Sequence, residues 1–302
     1  MSELLIVIVN WNSGEQLQRC VESVLNSTYN SYKIHIYDNC STDNSIKNIP
    51  LYDNVEIYKG AFNIGFSKAC NHIIKLNKSK FVLLLNPDTV LEKHTLSDAI
   101  NFINVNNNVH ILGVRHYNEY GMTKTSCSRF PTFRGFVYDI IGFSKLWPYK
   151  FNPATVMTDL DYNKSQYVDQ VMGAFFLFPF ELLTEIGLFD EQYFVYFEEL
   201  DFSYRAFKKG YMSYYCTDIA IFHKGGGTSE QALGKSLYYL LNSRLKYIKK
   251  HFTPVEYYFL FIMTFLIEPF TRLFFLVSNR QFKRLKDLFE TYKFLYFDKI
   301  LK

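Results

Sequence analysis

The first third of the chain alternates short apolar runs with helical patterns, and this alternation constrains the fold more than any other feature. Apolar runs rich in β-branched and aromatic residues occur at 4–10, 33–39, 55–60 and 81–85, and amphipathic helical patterns occur at 15–25 and 66–76. We interpret the order, including the polar segment after residue 39, as β-α-β-α-β-α-β. This order predicts an α/β fold with a mostly parallel, Rossmann-like central sheet that helices cover on both faces.

Polar residues follow three of these predicted strands at the point where each strand ends. Asn10 and Trp11 follow the first run, Asp38 ends the second, and the run at 81–85 stops at Asn86-Pro87-Asp88. Because open α/β sheets bind ligands beyond the carboxyl ends of their strands, we expect a site there. No GxGxxG sequence follows the first strand, so the usual dinucleotide-binding fingerprint is missing.

The residues around Asp88 have two interpretations. A carboxylate at an exposed strand end is a typical ligand of Mg²⁺ or Mn²⁺, which take most of their other ligands from water and phosphate oxygens. Asn, Pro and Asp are also turn-forming residues, so the same three residues can form a turn without binding a metal. The residues alone leave both interpretations open.

Composition indicates a folded protein and does not indicate a nucleic-acid partner. The chain has 302 residues, 48% of them hydrophobic, and its formal net charge is only +4. Its five cysteines are an odd number without CxxC spacing, which favours a reducing compartment. The apolar run before Asn10 is too short for a signal peptide, so we expect a cytoplasmic location.

Seven blocks of the sequence together resemble the family-2 glycosyltransferases of the GT-A fold, most closely their rhamnosyltransferase-like branch. The blocks follow one another in the family's order. They are IVNWNS (8–13), YDNCSTDNS (37–45), NIGFSKACN (63–71), LLLNPDT (83–89), the stretch 113–132, the long block from Val168 to Tyr211, and FHKGGGTS (222–229).

The resemblance implies transfer of a sugar from a nucleotide-diphospho-sugar to a hydroxyl group, with inversion at the anomeric carbon. The favoured donor is dTDP-rhamnose, and the implied acceptor is a polyprenyl-diphosphate-linked glycan of bacterial cell-surface polysaccharide synthesis. Rhamnose is implied chiefly by the stretch 113–132, in which Arg115 and Arg129-Phe130-Pro131-Thr132 match the branch but Val114 replaces a proline. The alternatives are another hexosyl- or galactofuranosyltransferase, or an inactive nucleotide-sugar-binding scaffold.

The resemblance also implies a metal site and a catalytic base. Asn86 stands where many relatives have the first acid of a DxD motif, and Asp88 is the retained ligand for Mg²⁺ or Mn²⁺. His223 matches a histidine that completes the metal shell in some relatives. Glu199 matches the catalytic base, although relatives usually have Asp there. We expect the dipole of a helix that begins near this residue to keep its carboxylate ionised.

Further residues are implied on the donor and acceptor sides. Asp38 matches the residue that contacts the nucleotide base or ribose, and Asn10 and Trp11 would line the base pocket. The other implied donor-binding residues are Asn63, Gly65, Asn86, Asp88, Asp169 and Gly173. Glu198, Asp201, Arg205 and Arg129 are implied as supporting or acceptor-side residues. We expect Asp201 and Arg205, four residues apart, to form a structural ion pair.

Residues 225–229 are rich in glycine and are expected to form a loop that closes on the donor phosphates. Gly225, Gly226 and Gly227 are followed by Thr228 and Ser229. Backbone N–H groups of such a loop can bind phosphate oxygens.

The last 72 residues are expected to form a helical extension. We place a catalytic domain at 1–230, with a donor-binding half at 1–118 and an acceptor-side half at 119–230, and the extension at 231–302. Its last helical pattern puts Phe282, Leu285, Phe289, Tyr292 and Tyr296 on one stripe and Lys283, Arg284, Lys286 and Lys293 off it. This pattern is typical of helices that lie on a membrane surface, here the inner face of the plasma membrane. The alternative is that the aromatic residues cover the catalytic domain or form a contact between subunits.

Overall fold

The computed structural model describes residues 2–49, 52–225 and 233–300, which fall into two compact units. Unit 1 consists of residues 1–128, 161–191 and 198–228, and unit 2 consists of residues 129–160, 192–197 and 229–302, in each case as far as they are described.

Eleven strands and eleven α-helices occur within the described part of the chain. The strands are β1 (Leu4–Asn10), β2 (Tyr32–Asp38), β3 (Val55–Lys59), β4 (Phe81–Leu85), β5 (Thr89–Leu91), β6 (Ile111–Tyr117), β7 (Cys127–Ser128), β8 (Gln166–Val168), β9 (Gln170–Val171), β10 (Phe175–Pro179) and β11 (Ser213–His223). The helices are α1 (Glu15–Leu25), α2 (Phe66–Leu76), α3 (Thr95–Val105), α4 (Phe133–Ile141), α5 (Phe143–Leu146), α6 (Leu182–Ile186), α7 (Glu198–Phe207), α8 (Leu233–His251), α9 (Pro254–Leu266), α10 (Glu268–Ser278) and α11 (Leu285–Lys299).

Unit 1 is built on a nine-stranded mixed sheet. The strand order is β3-β2-β1-β4-β10-β6-β11-β5, and β8 also pairs with β11. The pairs of β1 with β2 and β4, of β2 with β3, and of β6 with β11 are parallel, whereas β10, β5 and β8 run antiparallel to their neighbours. Six strands therefore point the same way, which confirms the predicted α/β class with a mostly parallel sheet.

The predicted order of elements is correct except at one place. Between β2 and β3 the described residues form bends and turns instead of a helix. Asp43 explains part of this difference, because its carboxylate accepts hydrogen bonds from the backbone N–H and the hydroxyl of Ser45. Short polar side chains that bond to nearby backbone groups favour turns over helices.

The core of unit 1 lies on the central strands. All five residues of β4 are buried, and a large apolar cluster joins strands of the sheet to α1 and α3. Ala174 and the aromatic run Phe175–Phe178 are also buried, as expected for core residues. All five cysteines are free thiols.

Unit 2 has its own core, and this core alters the expected domain boundaries. Phe136 and Ile140 of α4 pack with Ile248 of α8 and with Leu260 and Met263 of α9. Residues 129–160 therefore belong with the C-terminal helices, although the sequence placed them in the acceptor-side half of a catalytic domain. Apolar side chains far apart in sequence meet here, and sequence periodicity does not reveal such pairings.

The predicted stripe of the last helix is divided between two environments. Leu288, Thr291 and Leu295 of α11 are buried, and Leu295 packs against Leu241 and Leu245 of α8. Of the predicted stripe, Leu285 and Tyr292 are half-buried, whereas Phe282, Phe289 and Tyr296 are exposed. Part of the stripe therefore packs within unit 2, and the other part faces solvent.

Helices α9 and α10 together carry the most apolar part of unit 2. Within the described ranges, no single helix has the length and hydropathy needed to cross a bilayer. The two helices taken as a pair have enough length and apolar character, but their axes meet at 42°.

Candidate active site

The parallel register of β1 and β2 brings Asn10 and Asp38 side by side at the carboxyl edge of the sheet. Both side chains are buried, and Asn10 Nδ2 donates to Asp38 Oδ1 at 2.7 Å and to Ser45 Oγ at 2.8 Å. The Ser41 backbone N–H donates to Asp38 Oδ2 at 3.2 Å. Asn10 thus orients Asp38, whereas half-buried Trp11 lies just beyond the strand. The predicted donor contacts of these residues stay predictions.

A second set of hydrogen bonds fixes the start of α2. Asn39 Nδ2 donates to the carbonyl oxygen of Gly65 at 3.2 Å, and Asn39 Oδ1 accepts from Ile64 N–H at 3.0 Å. Asn63 Oδ1 accepts from Gly65 N–H at 2.9 Å. Gly65 itself has a φ of 86°, a conformation that favours glycine. The predicted residues Asn63 and Gly65 are therefore tied to the loop that follows Asp38.

The segment Asn86-Pro87-Asp88 forms a turn between β4 and β5. The hydroxyl of Thr89 donates to the carbonyl oxygen of Asn86 at 2.7 Å, and Asn86 N–H donates to the carbonyl oxygen of Ala174 at 3.2 Å. The turn interpretation of these residues is therefore correct. It does not exclude a ligand role, because the turn directs the Asp88 carboxylate to the end of β11.

Asp88 and His223 face each other at this edge. His223 Nε2 lies 3.4 Å from Asp88 Oδ1, and the Gly225 N–H donates to Asp88 Oδ2 at 3.1 Å. Burial on its own would raise the pKa of Asp88, but His223 and the backbone N–H groups of Asp88 and Gly225 lower it below its usual value. Asp88 is thus held as a carboxylate. Of the predicted phosphate loop, only Gly225 is described, and Gly226, Gly227, Thr228 and Ser229 lie outside the described residues.

His116 is a member of this cluster that the sequence interpretation missed. Its buried ring packs edge-on against that of His223, with the ring centres 5.1 Å apart. Desolvation, and then the charge of His223, lower the pKa of His116 to about 3, so its imidazole is neutral. The alternation of Leu112, Val114 and His116 along one face of β6 was the available signal.

Glu199 lies in the first turn of α7, and its carboxylate fits against a glycine. A Cβ atom on Gly173 would lie 1.9 Å from Glu199 Oε1, so a larger residue at position 173 would displace the carboxylate. Gly173 comes just before β10, whose first residue Phe175 pairs with Leu85 at the end of β4. Glu199 and Asp88 therefore belong to the same edge of the sheet.

The environment of Glu199 differs from the one expected. We expected the helix dipole to keep this carboxylate ionised, and a hydrogen bond to its own backbone N–H does lower its pKa. Desolvation is the larger effect, and it raises the pKa of Glu199 to about 7. A carboxylate with this pKa can accept a proton near neutral pH and release it again.

Asp201, another acid at the start of α7, has a structural partner. Asp201 is fully buried, and Arg205 Nε donates to Asp201 Oδ2 at 2.8 Å, which confirms the expected ion pair. Arg205 Nη2 also donates to the carbonyl oxygen of Leu188 at 2.9 Å. Glu198 is buried beside Glu199.

Two predicted residues are less closely tied to the cluster around Asp88. Asp169 is half-buried between β8 and β9, and its carbonyl oxygen accepts from Ser213 Oγ at 3.3 Å. Arg129 lies in unit 2, where it is ion-paired with Asp159. The roles proposed for both from the sequence stay predictions.

The donor set around Asp88 fits a metal ion that is shared with a phosphate ligand. In the described residues, no group of three or more His, Cys, Asp or Glu side chains is arranged to hold a metal ion. Asp88 and His223 offer one carboxylate and one imidazole. Mg²⁺ commonly uses one or two carboxylates and takes its remaining ligands from water and substrate phosphates.

The fold and site define an α/β protein with a carboxylate–histidine pair and a separate carboxylate of raised pKa at one sheet edge. Residues 5–183 match the family model described as glycosyl transferase family 2. The chain belongs to this family, and its α/β fold is the GT-A fold. The chain spans less than two thirds of the length of two of the curated relatives that it matches.

Curated relatives carry several transferase activities. The chain is 24% identical to an N-acetylglucosaminyl-diphospho-decaprenol L-rhamnosyltransferase of Mycobacterium tuberculosis, over 74% of this chain and 76% of that protein. It is 25% identical to the low-salt glycan biosynthesis hexosyltransferase Agl10 of Haloferax volcanii, over 68% of this chain and 62% of that protein. It is 30% identical to the poly(ribitol-phosphate) beta-N-acetylglucosaminyltransferase TarP of Staphylococcus aureus, over 37% of this chain and 36% of that protein.

Solved structures of S. aureus TarS are also similar. One TarS structure matches with a TM-score of 0.48 and 16% identity, over 78% of this chain and 38% of that chain. A shorter TarS structure in complex with UDP-GlcNAc matches with a TM-score of 0.49 and 16% identity, over 78% of this chain and 64% of that chain.

Proposed function

We propose that this protein transfers L-rhamnose from dTDP-rhamnose to a hydroxyl group of a lipid-linked glycan, with inversion of the anomeric carbon. The observation that carries the proposed chemistry is Glu199, a carboxylate with a pKa of about 7 on the sheet edge that also presents Asp88 and His223. The activity of the mycobacterial relative supports the choice of sugar and acceptor.

Each residue has a defined part in this reaction. Glu199 accepts the proton of the acceptor hydroxyl while the oxygen of that hydroxyl forms a bond to the anomeric carbon. The bond from that carbon to the diphosphate breaks on the opposite side, and the nucleoside diphosphate leaves with the electron pair. Asp38, oriented by its hydrogen bond from Asn10, would position the nucleoside.

Asp88 and His223 would hold a divalent cation together with the diphosphate of the donor. Mg²⁺ or Mn²⁺ supplies positive charge that stabilises a leaving diphosphate when it is bound. His116 packs against the ring of His223 and limits the directions that this imidazole can take. The low pKa of Asp88 keeps its carboxylate charged for this task.

The test is a panel of nucleotide sugars with a polyprenyl-diphosphate-linked acceptor and Mn²⁺. We expect release of dTDP from dTDP-rhamnose and a product whose anomeric configuration, read by NMR, is inverted. Turnover of a UDP-hexose instead would favour the hexosyltransferase activity that Agl10 bears. Nucleotide-sugar binding without turnover of any donor would show an inactive scaffold.

We further propose that unit 2 brings the enzyme to the cytoplasmic face of the membrane. Large apolar side chains on α9 and α10 are exposed, among them Phe270 at 70% and Phe274 at 62%. Helices with such a face bind to membrane interfaces. Deleting them would uncover the cluster around Phe136, so point changes are the cleaner test.

The variant F270S/F274S should bind vesicles more weakly than the wild-type protein in flotation experiments. K249Q/K250Q at the end of α8 is the control, because it changes two polar side chains and leaves the apolar face of α10 intact. Equal vesicle binding by F270S/F274S and wild type would argue for the alternative, in which this face is a contact between subunits. A change of mass in light scattering would then identify the oligomer.

A further inference from the structure

Unit 2 contains a cavity of about 340 Å³ that no candidate active-site residue lines. Its walls come from α5, α8, α10 and α11, and from the segment that joins α10 to α11. Its polar lining side chains are Lys145, Arg272, Asn279, Gln281, Arg284 and Asp287. Ligand cavities usually measure about 300 to 1,000 Å³, so this one suits a small group and not a whole lipid or glycan.

Positive charge exceeds negative charge in this cavity. Three cations line it, whereas Asp287 is the single carboxylate among its lining residues. Arg272 Nη2 donates to Glu268 Oε1 at 2.7 Å, but Glu268 is also bonded by Arg244. Two arginines therefore share one buried carboxylate, and the three groups together keep a net positive charge.

Lys145 shows the effect of this excess. Desolvation, followed by the charge of Arg272, lowers the pKa of Lys145, and Arg284 adds to this repulsion, while Glu268 and Asp139 oppose it. The ammonium group also lies 4.9 Å from the centre of the Phe275 ring. An anion between these cations would replace repulsion with attraction.

The cations suit phosphate in particular. Arginine binds phosphate oxygens with two parallel N–H groups, and lysine binds them as a compact charge. The Arg284 guanidinium is oriented by a hydrogen bond from Nη1 to Gln281 Oε1 at 3.3 Å. The cavity therefore offers charged donors that are already partly held in place.

The two faces of α10 indicate where such a phosphate would come from. Arg272, Phe275, Leu276 and Asn279 line the cavity at helical spacing. Phe270, Leu273, Phe274 and Val277 lie on the opposite face of the same helix, and all four are exposed. A helix that rests on this apolar face places its other face about 10 Å higher.

A helix that lies on a membrane buries its apolar face about 5 to 10 Å into the boundary between headgroups and acyl chains, so its other face lies in the polar layer of the membrane. The headgroup region extends about 5 to 8 Å beyond the hydrocarbon core on each side. Phosphate groups of lipids lie in this region, and the aliphatic chains lie below it. The exposed apolar face of α10 thus matches the layer of acyl chains, and the cavity on the other side of this helix matches the layer of headgroups.

We propose that this cavity binds the phosphate group of a membrane lipid. The inference rests on the proposed membrane association of unit 2, and it adds a headgroup specificity to that association. It does not depend on which sugar the enzyme transfers.

The test compares K145Q/R284Q with K283Q/K286Q, a pair that removes the same charge from exposed residues outside the cavity lining. Binding is measured by flotation with two kinds of phosphatidylcholine vesicle that carry equal negative charge. One contains phosphatidic acid, and the other contains oleate, which has a carboxylate and no phosphate. Circular dichroism melting curves establish that each variant is folded.

We expect the wild-type protein to bind phosphatidic acid vesicles more tightly than oleate vesicles. K145Q/R284Q should lose this preference, whereas K283Q/K286Q should keep it while binding both vesicles about fivefold more weakly for each charge removed. Should K145Q/R284Q not fold, K145M alone is measured in the same way.

Three results would overturn the inference. One is equal binding of wild-type protein to both vesicles, and another is an unchanged preference in K145Q/R284Q. The third is tight binding of inorganic phosphate in calorimetry without any preference between vesicles, which would identify free phosphate as the ligand. Donor turnover in solution separates these results from a failure of the proposed transferase activity.

Discussion

Asp88 and Glu199 occupy the same edge of the sheet but have opposite electrostatic environments. Asp88 ends a turn, and His223 and backbone N–H groups lower its pKa despite burial. Glu199 lies in the first turn of a helix, and desolvation raises its pKa to about 7. The difference teaches that neighbouring partners, and not burial alone, decide which carboxylate stays charged and which can exchange a proton.

The largest expected effect comes from removing the charged carboxylate. Asp88→Asn should lower kcat/KM for sugar transfer about a thousandfold, since a bound cation contributes several kcal/mol of charge stabilisation. The measurement is release of nucleoside diphosphate at saturating Mn²⁺. Asp53→Asn, which changes an exposed acid, is the control. Near-normal turnover of Asp88→Asn would remove Asp88 from the reaction.

Glu199→Gln should lower kcat by about a hundredfold to ten-thousandfold, which is the usual contribution of a general base. Donor affinity, measured by calorimetry, should change little, because the amide keeps the shape of the carboxylate. Glu198→Gln and Asp201→Asn test the neighbouring acids. A large loss in kcat from one of them, with normal activity of Glu199→Gln, would show that another acid is the base.

Gly173→Ala should reduce kcat by up to about a hundredfold, because the added methyl group would occupy the position of Glu199 Oε1. The double variant G173A/E199D provides a sharper test. Its acidic side chain is one methylene shorter, so it should recover part of the lost activity. If G173A lowers activity equally in an E199Q background, the glycine acts independently of Glu199.

The smallest effect for a single step is the change in activity per unit of pH. Glu199 must be deprotonated to accept a proton, so kcat/KM should rise about tenfold per pH unit below 7 and level off above 7. Asp88 should not add to this profile, since its pKa lies below its usual value. Measurements of dTDP release between pH 5 and 8 would contradict the assignment if they gave a flat profile for the wild-type enzyme.

Much of unit 1 could be predicted because its elements are strongly patterned. The strands β1 to β4 and the helices α1 and α2 lie within a residue or two of their predicted positions. The residue types at the strand ends were also sufficient to predict a site there, since parallel strands bring their carboxyl ends together. The prediction of a helix between β2 and β3 was wrong, because the local hydrogen bonds of Asp43 favour turns.

Unit 2 shows the limit of such prediction. The stripe on the last helix was visible in the sequence, but its helical periodicity did not show that α8 covers the side that carries Leu288 and Leu295. Likewise, nothing in the local pattern at 133–141 indicated that α4 packs with α9. Both pairings depend on contacts between distant parts of the chain.

The sequence by itself determined the fold class, the edge of the sheet that carries the candidate site, and the kinds of side chain found there. Only the tertiary structure decided how those side chains behave. The pKa of Glu199, the close fit of Gly173 and the neutral His116 beside His223 all arise from atoms brought together from separate elements. Strand and helix periods act over a few residues, whereas desolvation and electrostatic fields depend on every group within several ångströms.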